Sequence, residues 1–267
     1  MKNLLVRTLS GAVYVSLIIG SLLIDKTLFA LVILVFNAIA FYEFQKFGIQ
    51  NKLKVLWNVF LSIVVFVLSH FIISGDLEQK WLSILILVPL FQLGIELFNK
   101  KGKIFETLSF SIVSVLYITL PLILLNWINY SSQGNFSRLV LAVFVLVWAN
   151  DSFAYLSGLA FGKHKLFERI TPKKTWEGFV GGLLATLIIA RLLFSFTELN
   201  SVPEWEILAL LIALASVFGD FVESMFKRSA GVKDSGNIMP GHGGILDRID
   251  SLLFVFPVVF IYFTLVF

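Results

Sequence analysis

The stretch LALLIALASVFGDFVES, residues 208–224, is an apolar run that ends in two acidic residues. Its uncharged first part has the composition of a helix that crosses a bilayer. Asp220 and Glu223 follow at a spacing that places both on one face of that helix. Acidic residues within membrane spans are rare and usually mark a functional cavity. The stretch therefore predicts a membrane protein with a polar site.

The composition of the whole chain agrees with this class. Hydrophobic residues make up 58% of the 267 and charged residues 14%, with a mean hydropathy of +0.92, whereas about 25% of the residues of a soluble protein are charged. The chain has no cysteine, which excludes disulfides, thiolate catalysis and Cys-ligated zinc. The first apolar run lacks an A-x-A cleavage site, so we expect a retained helix.

The apolar runs predict an all-α, polytopic membrane protein. A spanning helix needs about 20 apolar residues, and helices satisfy their own backbone hydrogen bonds in lipid. Nine segments meet this requirement: 4–24, 27–44, 55–73, 81–98, 108–128, 139–159, 178–196, 206–225 and 251–267.

The distribution of basic residues predicts a cytoplasmic N-terminus. Of the 21 Lys and Arg, 17 fall in segments on the side of the N-terminus, three (Lys26, Lys80 and Arg138) fall on the other side, and Arg191 lies within a span. Positive residues concentrate on the cytoplasmic side of membrane proteins. The two long polar loops, 160–177 and 226–250, are then both cytoplasmic.

Two pairs of carboxylates predict a Mg²⁺ site. Asp220 and Glu223 form one pair, and Asp247 and Asp250 repeat the same spacing at the start of the last span. Mg²⁺ takes one or two carboxylates together with waters and substrate phosphates. Two alternatives stay open, because Asp220 would also suit an ion pair with a nearby Lys, and Asp247 would suit helix capping. Asp151 is a further carboxylate near the membrane surface.

The loop between these pairs has the composition of a phosphate-binding segment. Lys227, Arg228 and Lys233 are donors suited to phosphate oxygens. Gly241, Gly243 and Gly244 would let a ligand approach the backbone before a helix N-terminus. The alternative is a flexible loop whose basic residues set topology. His242 would either donate to a phosphate or brace the turn.

The other cytoplasmic loop continues into the span that starts near Gly178. Thr171 and Pro172 predict an N-cap followed by proline at the first helical position. Lys173, Lys174 and Thr175 would then crowd a helix start with positive charge, which calls for an anion such as a phosphate. Gly178, Gly181 and Gly182 are expected to serve helix packing.

The last third of the chain resembles the phosphatidate cytidylyltransferase (CDP-diacylglycerol synthase) family. The resemblance rests on that family's long signature, which the chain matches in register at Ser224, Lys227, Arg228, Lys233, Asp234, Gly236, Pro240, His242, Gly243, Gly244, Asp247, Arg248 and Asp250. The segments DSFAYLSGLAFGK (151–163) and PKKTWEGFVGG (172–182) are also similar. Met239 stands where Leu, Ile or Phe is usual, and Thr171 where Ser is commoner.

The resemblance implies the reaction CTP + phosphatidate → CDP-diacylglycerol + pyrophosphate with Mg²⁺, and it leaves a second, monovalent cation open. It also implies a homodimer in the cytoplasmic membrane, in contact with bilayer lipid. Residues 1–136 would hold five spans, and residues 137–267 would form the catalytic region.

The matched positions then receive expected roles. Asp220, Asp247, Lys227, Arg228 and Asp250 are expected to be catalytic. Asp220 and Asp247 would bind the metal, with Glu223 and Asp250 as auxiliary acids. The residues expected to bind CTP or phosphatidate are Lys173, Lys174, Thr175, Ser224, Lys233, Asp234, His242, Gly243, Gly244 and Arg248.

Other functions remain as alternatives to this one. A related CTP-dependent lipid enzyme, a CDP-archaeol synthase or a polyprenol kinase, would share the head-group chemistry. A transporter would place coupled ion sites near the bilayer midplane, often with internal repeats, and the sequence shows no repeat. No nucleic-acid partner is expected.

Overall fold

The computed structural model of the chain describes residues 2–84, 87, 90, 93–94, 104–131, 137–197 and 201–266. Within these residues, eight helices are long and apolar enough to cross a membrane. They overlap eight of the nine predicted spans, which confirms the prediction of an all-α polytopic membrane protein. The other prediction, 81–98, falls largely outside the described residues. The cytoplasmic N-terminus stays a prediction.

The chain forms two compact units, Met1–Ser131 with Asp234–Arg248, and Ser132–Lys233 with Ile249–Phe267. Each unit is described by itself below. The predicted division at 136/137 stays a prediction. The structure adds that residues 234–245, the glycine-rich loop before α9, cluster with the N-terminal helices, because hydrogen bonds from those helices hold this segment and the start of α9.

The first unit contains five described α-helices. They are α1 (Lys2–Ile24), α2 (Lys26–Gln45), α3 (Lys52–Ser74), α4 (Ile104–Ser114) and α5 (Leu120–Ser131), and a π-helical turn, Val115–Thr119, joins α4 to α5. A short 3₁₀ turn, Gln79–Trp81, follows α3.

Local sequence sets several of these helix ends. The Asp25 side chain accepts from the backbone N–H groups of Thr27 and Leu28, at 2.7 and 3.1 Å, and so caps α2. Asn51 caps α3 in the same way. Gly75 follows α3 with φ of +88°, a left-handed conformation that favours glycine.

Aromatic and polar side chains hold the first unit together. Phe29, Phe41 and Phe44 of α2 are buried. Beside them, the Gln45 amide donates to Ser114 Oγ at 2.6 Å and accepts from the Asn58 amide at 2.8 Å. Such polar contacts join helices inside a membrane, where apolar surfaces alone provide little driving force.

The second unit contains the helices α6 (Arg138–Phe161), α7 (Trp176–Leu193) and α8 (Val202–Ser229), and most of α9 (Leu246–Val266). A small antiparallel hairpin of β1 (Lys165–Phe167) and β2 (Thr171–Thr175) connects α6 to α7. The hairpin occupies the predicted loop 160–177, and the sequence analysis did not foresee it.

Glycines allow α7 to pack closely on α6. A side chain at Gly178 would collide with the Ala154 carbonyl, and one at Gly182 would collide with the Asn150 carbonyl. This contact confirms the packing role expected for these glycines. Farther along α7, the Trp205 indole of α8 donates to the Ala190 carbonyl at 2.6 Å.

Candidate active site

The start of α7 differs from the prediction. Thr171 does not cap the helix, because residues 171–175 form strand β2, and the N-cap is Thr175, whose Oγ accepts from the Gly178 N–H at 3.1 Å. The N-cap prediction for Thr171 is therefore wrong. The extended backbone of β2, paired with β1, overrode the local Thr-Pro signal. Lys173 and Lys174 therefore lie on β2 and place no positive charge in the first turn of α7.

Lys174 instead makes an ion pair with the first of the predicted metal ligands. Its Nζ lies 2.5 Å from Asp220 Oδ2, and the two side chains are 30% and 32% exposed. Ser224 Oγ donates to the other oxygen, Oδ1, at 3.2 Å. The pairing of Asp220 with a nearby Lys, left open by the sequence, is thus present, and it joins the hairpin to α8.

Two more carboxylates of the second unit lie close enough to this ion pair to interact with its charges. Asp151 of α6 interacts with both Lys174 and Asp220, and Asp250 of α9 interacts with Asp220, Asp151 and Lys227. The close approach of α8 and α9 at Gly219, where a side chain would collide with the Asp250 carbonyl, explains the proximity of Asp250. Three helices and one strand therefore gather acids and bases that are far apart in sequence.

Polar side chains orient Asp151. Ser216 Oγ of α8 donates to Asp151 Oδ1 at 3.2 Å, and the Asn150 amide donates to Ser216 Oγ at 3.4 Å. Asn150 and Ser216 are buried. The sequence analysis noted Asp151 but did not identify these two residues. An Asn and a Ser inside apolar runs were the available signal.

Glu223 and Lys227 form a second ion pair one turn apart on α8. Glu223 is 1% exposed and Lys227 12%, so both charges are largely removed from solvent. A buried pair of this kind is costly to break, because the remaining charge would be uncompensated. Arg228 and Lys233, by contrast, are exposed. Of the three predicted phosphate-binding cations, Lys227 is therefore already engaged by a carboxylate.

In the first unit, residues 234–245 form a loop that contains a hydrogen-bonded turn. Met239, Pro240, Gly241 and His242 make a β-turn in which His242 N–H donates to the Met239 carbonyl at 2.9 Å. Gly241 has φ of +76°, the conformation that a turn with proline second and glycine third requires. The Gly243 carbonyl then accepts from Met239 N–H at 2.9 Å.

Asp247 organises this loop. Its Oδ2 accepts from Ser235 N–H at 2.9 Å, from Ser235 Oγ at 2.9 Å and from Gly244 N–H at 2.8 Å. Asp247 lies in the first turn of α9, so the capping alternative that the sequence left open is present. A side chain at Gly243, where φ is +85°, would collide with Asp247. Asp247 therefore lies against the backbone of Gly243, and binding of a ligand by Gly243 and Gly244 stays a prediction.

His242 braces the loop against α1. Its Nδ1 lies 2.7 Å from Ser10 Oγ, and Ser10 Oγ also donates to the Pro240 carbonyl at 3.1 Å. Burial, with the nearby positive charges of Arg248 and Arg7, lowers the pKa of His242 below its usual 6.5. The imidazole is therefore neutral at pH 7. The bracing role is thus present, while binding of a phosphate by His242 stays a prediction.

Glu43 of α2 is a residue that the sequence analysis missed. It is 3% exposed, and its Oε2 accepts from Leu246 N–H at 2.9 Å and lies 3.3 Å from Ser235 Oγ. A carboxylate near the end of the second span was the signal.

The carboxylates of the second unit have the donor chemistry that Mg²⁺ prefers, since hard oxygen ligands suit this ion. Among the residues that the structure describes, however, no group of three or more metal-ligating side chains lies close enough to hold an ion. One or two carboxylates suffice where phosphates and waters complete the shell, so the residues fit a site that the substrate completes. Asp220 and Asp247 belong to different units, and their shared metal site stays a prediction.

Comparisons with known proteins cover nearly the whole chain. The sequence model of the "Cytidylyltransferase family" matches residues 5–266. A protein of Staphylococcus haemolyticus named phosphatidate cytidylyltransferase is 34% identical over 94% of this chain and 96% of its own length. A Haemophilus influenzae protein of the same name is 33% identical over 94% and 95%. One from Staphylococcus aureus (strain COL) is 40% identical over 66% of each chain.

Proposed function

Because this chain belongs to the cytidylyltransferase family, we infer that it transfers the cytidylyl group of CTP to phosphatidate, giving CDP-diacylglycerol and pyrophosphate. The observation that carries this inference is the family match over residues 5–266, together with relatives named phosphatidate cytidylyltransferase that align over nearly their full lengths. The eight apolar helices support a substrate that resides in a bilayer.

The chemistry explains why the site would need cations and would not require a general base. A phosphate monoester has a second pKa near 6, so the phosphatidate head group is a dianion at neutral pH. One of its oxygens attacks the α-phosphorus of CTP, forming a new P–O bond, while the bond from that phosphorus to the bridging oxygen breaks and pyrophosphate leaves. The proton count does not change, but two polyanions must meet. Catalysis then rests on positioning and charge neutralisation.

The cations of the second unit are suited to that neutralisation. Lys174 is held on Asp220 and lies within the field of Asp151. An arriving phosphate would compete with these carboxylates for the ammonium. We assign Lys173, Lys174, Lys227, Arg228 and Lys233 to the phosphates of CTP and of the lipid. Arg228 and Lys233 are exposed, so they are accessible to a soluble nucleotide.

Asp220 is the proposed metal ligand of the second unit, with Asp250 and Glu223 as auxiliary acids. In this chemistry a bound Mg²⁺ neutralises charge that develops on the phosphoryl oxygens. Asp220 would hold the metal through its carboxylate, whose oxygens contact Lys174 and Ser224 in this structure. Asp247 of the first unit keeps its proposed metal role, although one of its oxygens is committed to Ser235 and Gly244.

The surroundings of the reaction are also proposals. The chain is a multi-pass membrane protein, and we assign it to the cytoplasmic membrane with the site on the cytoplasmic face, where CTP is present. The 17 basic residues on the side of the polar loops support this face. A homodimer is proposed from the family resemblance.

The position of a radioactive label tests the reaction. Purified protein in detergent is incubated with Mg²⁺, a panel of lipid phosphates, and CTP labelled at either the α- or the γ-phosphorus. Cytidylyl transfer moves the α label into the lipid and leaves the γ label in pyrophosphate. A lipid kinase would move the γ label instead, and the preferred lipid separates phosphatidate from an archaeal ether lipid. If folded protein labels no lipid from either CTP, the assignment is wrong.

A further inference from the structure

Glu43 is a buried acid that the proposed reaction does not use. It lies on α2, in the half of the chain that carries none of the signature residues, and its side chain is 3% exposed. An ionisable group inside a membrane span is costly and usually functional. Its contacts indicate what it does.

The described hydrogen-bond partners of Glu43 lie in the glycine-rich loop, 234–245, and at Leu246, the first residue of α9. Its Oε2 accepts from the Leu246 N–H at 2.9 Å, so a carboxylate from α2 caps the N-terminus of α9. A negative charge is favourable there, because the helix macrodipole is positive at that end. Ser235 Oγ lies 3.3 Å from the same oxygen.

Two glycines of the loop make room for Glu43. A side chain at Gly236 would collide with the Glu43 carboxylate, and one at Gly244 would collide with both Glu43 and the Ser235 hydroxyl. Neither glycine has a positive φ, since the loop glycines with positive φ are Gly241 and Gly243. Space for Glu43, rather than backbone conformation, therefore explains glycine at 236 and 244.

Ser235 and Gly244, which adjoin Glu43, are also the residues that hold Asp247. Ser235 donates to Asp247 Oδ2 from both its N–H and its hydroxyl, and Gly244 donates from its N–H. The Ser235 hydroxyl lies within hydrogen-bond distance of both carboxylates, Asp247 at 2.9 Å and Glu43 at 3.3 Å. A substitution of Glu43 would thus affect the position of Asp247 through the Ser235 side chain and through the backbone at Gly244.

We propose that Glu43 is a positioning residue of the glycine-rich loop, which fixes the start of α9 and, through Ser235 and Gly244, the orientation of Asp247. A carboxylate suits this place better than an amide does. A carboxylate only accepts hydrogen bonds, whereas an amide would turn its N–H donors toward one of the neighbouring groups. The hydrogen bonds that a carboxylate accepts from N–H groups are also stronger, because the carboxylate is charged. The consequence for turnover rests on the proposed function, but the effect on the loop does not.

The test compares Glu43→Gln with a matched variant of the same helix. Asn37→Leu also alters a buried polar side chain of α2, one whose amide donates to Ser62 Oγ of α3 at 3.4 Å. Hydrogen–deuterium exchange in detergent reports the amides of residues 234–248. In Glu43→Gln we expect these amides to exchange about tenfold faster, since hydrogen bonds to charged groups are the stronger ones. Asn37→Leu should leave their exchange unchanged.

Kinetics supply the second readout. We expect Glu43→Gln to lower kcat/KM for CTP by about 10–100-fold, the range seen when a partner of a metal ligand is lost, with KM for phosphatidate changed less than twofold. Asn37→Leu should leave both constants near those of the unchanged protein. General loosening of the fold would instead accelerate exchange in all helices and lower the melting temperature.

Unchanged exchange at 244–246 in a folded Glu43→Gln protein would overturn the proposal, and so would equal effects of the two variants. If Glu43→Gln does not fold, Ser235→Ala decides. It removes only the hydroxyl between the carboxylates, and it should raise KM for CTP and the exchange of Gly244 in the same direction. No change in either would refute the role. Failure of the proposed function would show as absent turnover in the unchanged protein, while the exchange result would still stand.

Discussion

The carboxylate of Asp220 is the group whose loss should affect catalysis much more than stability. Asp220→Asn keeps the size of the side chain and an oxygen for the hydrogen bond from Ser224, but it removes the negative charge that binds Lys174. Because the two side chains are 30% and 32% exposed, their pair should contribute nearer the surface value, up to about 1 kcal/mol, than that of a buried pair. The melting temperature should then fall by about 2–4 °C.

The effect of Asp220→Asn on turnover should be larger. Even a partner of a metal ligand costs about 10–100-fold when it is lost, so a ligand should cost at least that. This range corresponds to about 1.4–2.7 kcal/mol of transition-state stabilisation. The variant should also need more Mg²⁺ to reach its highest rate, since the negative charge that attracts the cation is absent.

The assay is cytidylyl transfer measured against Mg²⁺ concentration, with the elution profile and the melting temperature as controls for folding. Glu206→Gln is a matched variant. It removes another carboxylate from α8, one that pairs with Arg191 at 3.2 Å with both side chains well exposed. Its activity should stay within about twofold, because exposed pairs contribute little. Near-normal activity and unchanged Mg²⁺ dependence in well-folded Asp220→Asn would refute the metal assignment and leave Asp220 as the partner of Lys174.

Four further predictions concern the topology, the nucleotide, the cap of α7 and the pH dependence of stability. Single cysteines at Lys165 and Ile238, which are both exposed, on this cysteine-free background should be labelled from the same side of the membrane, and labelling from opposite sides would refute two cytoplasmic loops. Lys233→Ala should raise KM for CTP about tenfold, the effect expected when a hydrogen bond from a charged group is lost, and should change kcat less. Unchanged KM and kcat would show that Lys233 is not part of the nucleotide site. Thr175→Ala should destabilise the fold by about 1 kcal/mol through loss of the N-cap, and Thr175→Ser should restore the melting temperature if capping is the cause. Folding lowers the pKa of His242 below 6.5, so the unfolded state binds more protons just below pH 6.5 and the folded state loses stability as pH falls through that range. Between pH 7.5 and pH 5.5, the melting temperature should therefore fall less in His242→Asn than in the unchanged protein. An equal fall in both proteins would contradict this assignment.

The sequence predicted the membrane helices well because the signal for them is local. A run of apolar residues long enough to span a bilayer must be helical in lipid, whatever the rest of the chain does. Eight of the nine predicted segments overlap helices of the structure. The ends of these helices were less predictable. Thr171 has the residue type and the following proline of an N-cap, yet pairing with β1 kept residues 171–175 extended and moved the cap to Thr175.

The candidate site was predictable in its residue types but not in its contacts. Asp220, Glu223, Asp247 and Asp250 were identified because charges in apolar surroundings are conspicuous. Some partners stand about one helical turn away, as Lys227 does from Glu223 and Ser224 from Asp220, but partners from other segments could not be read from spacing. Lys174 reaches Asp220 across 46 positions of the chain.

By itself, the sequence determined the class of protein, its spanning segments and the signature that relates it to a family of enzymes. Those properties follow from composition and from residues close together in the chain. Only the tertiary structure decided which polar groups meet: Lys174 with Asp220, Ser235 with Asp247, and Glu43 with the start of α9. The physical reason is that an unpaired polar group is costly inside an apolar interior. Each buried charge needs a partner, and the folding of distant segments determines which partner is available.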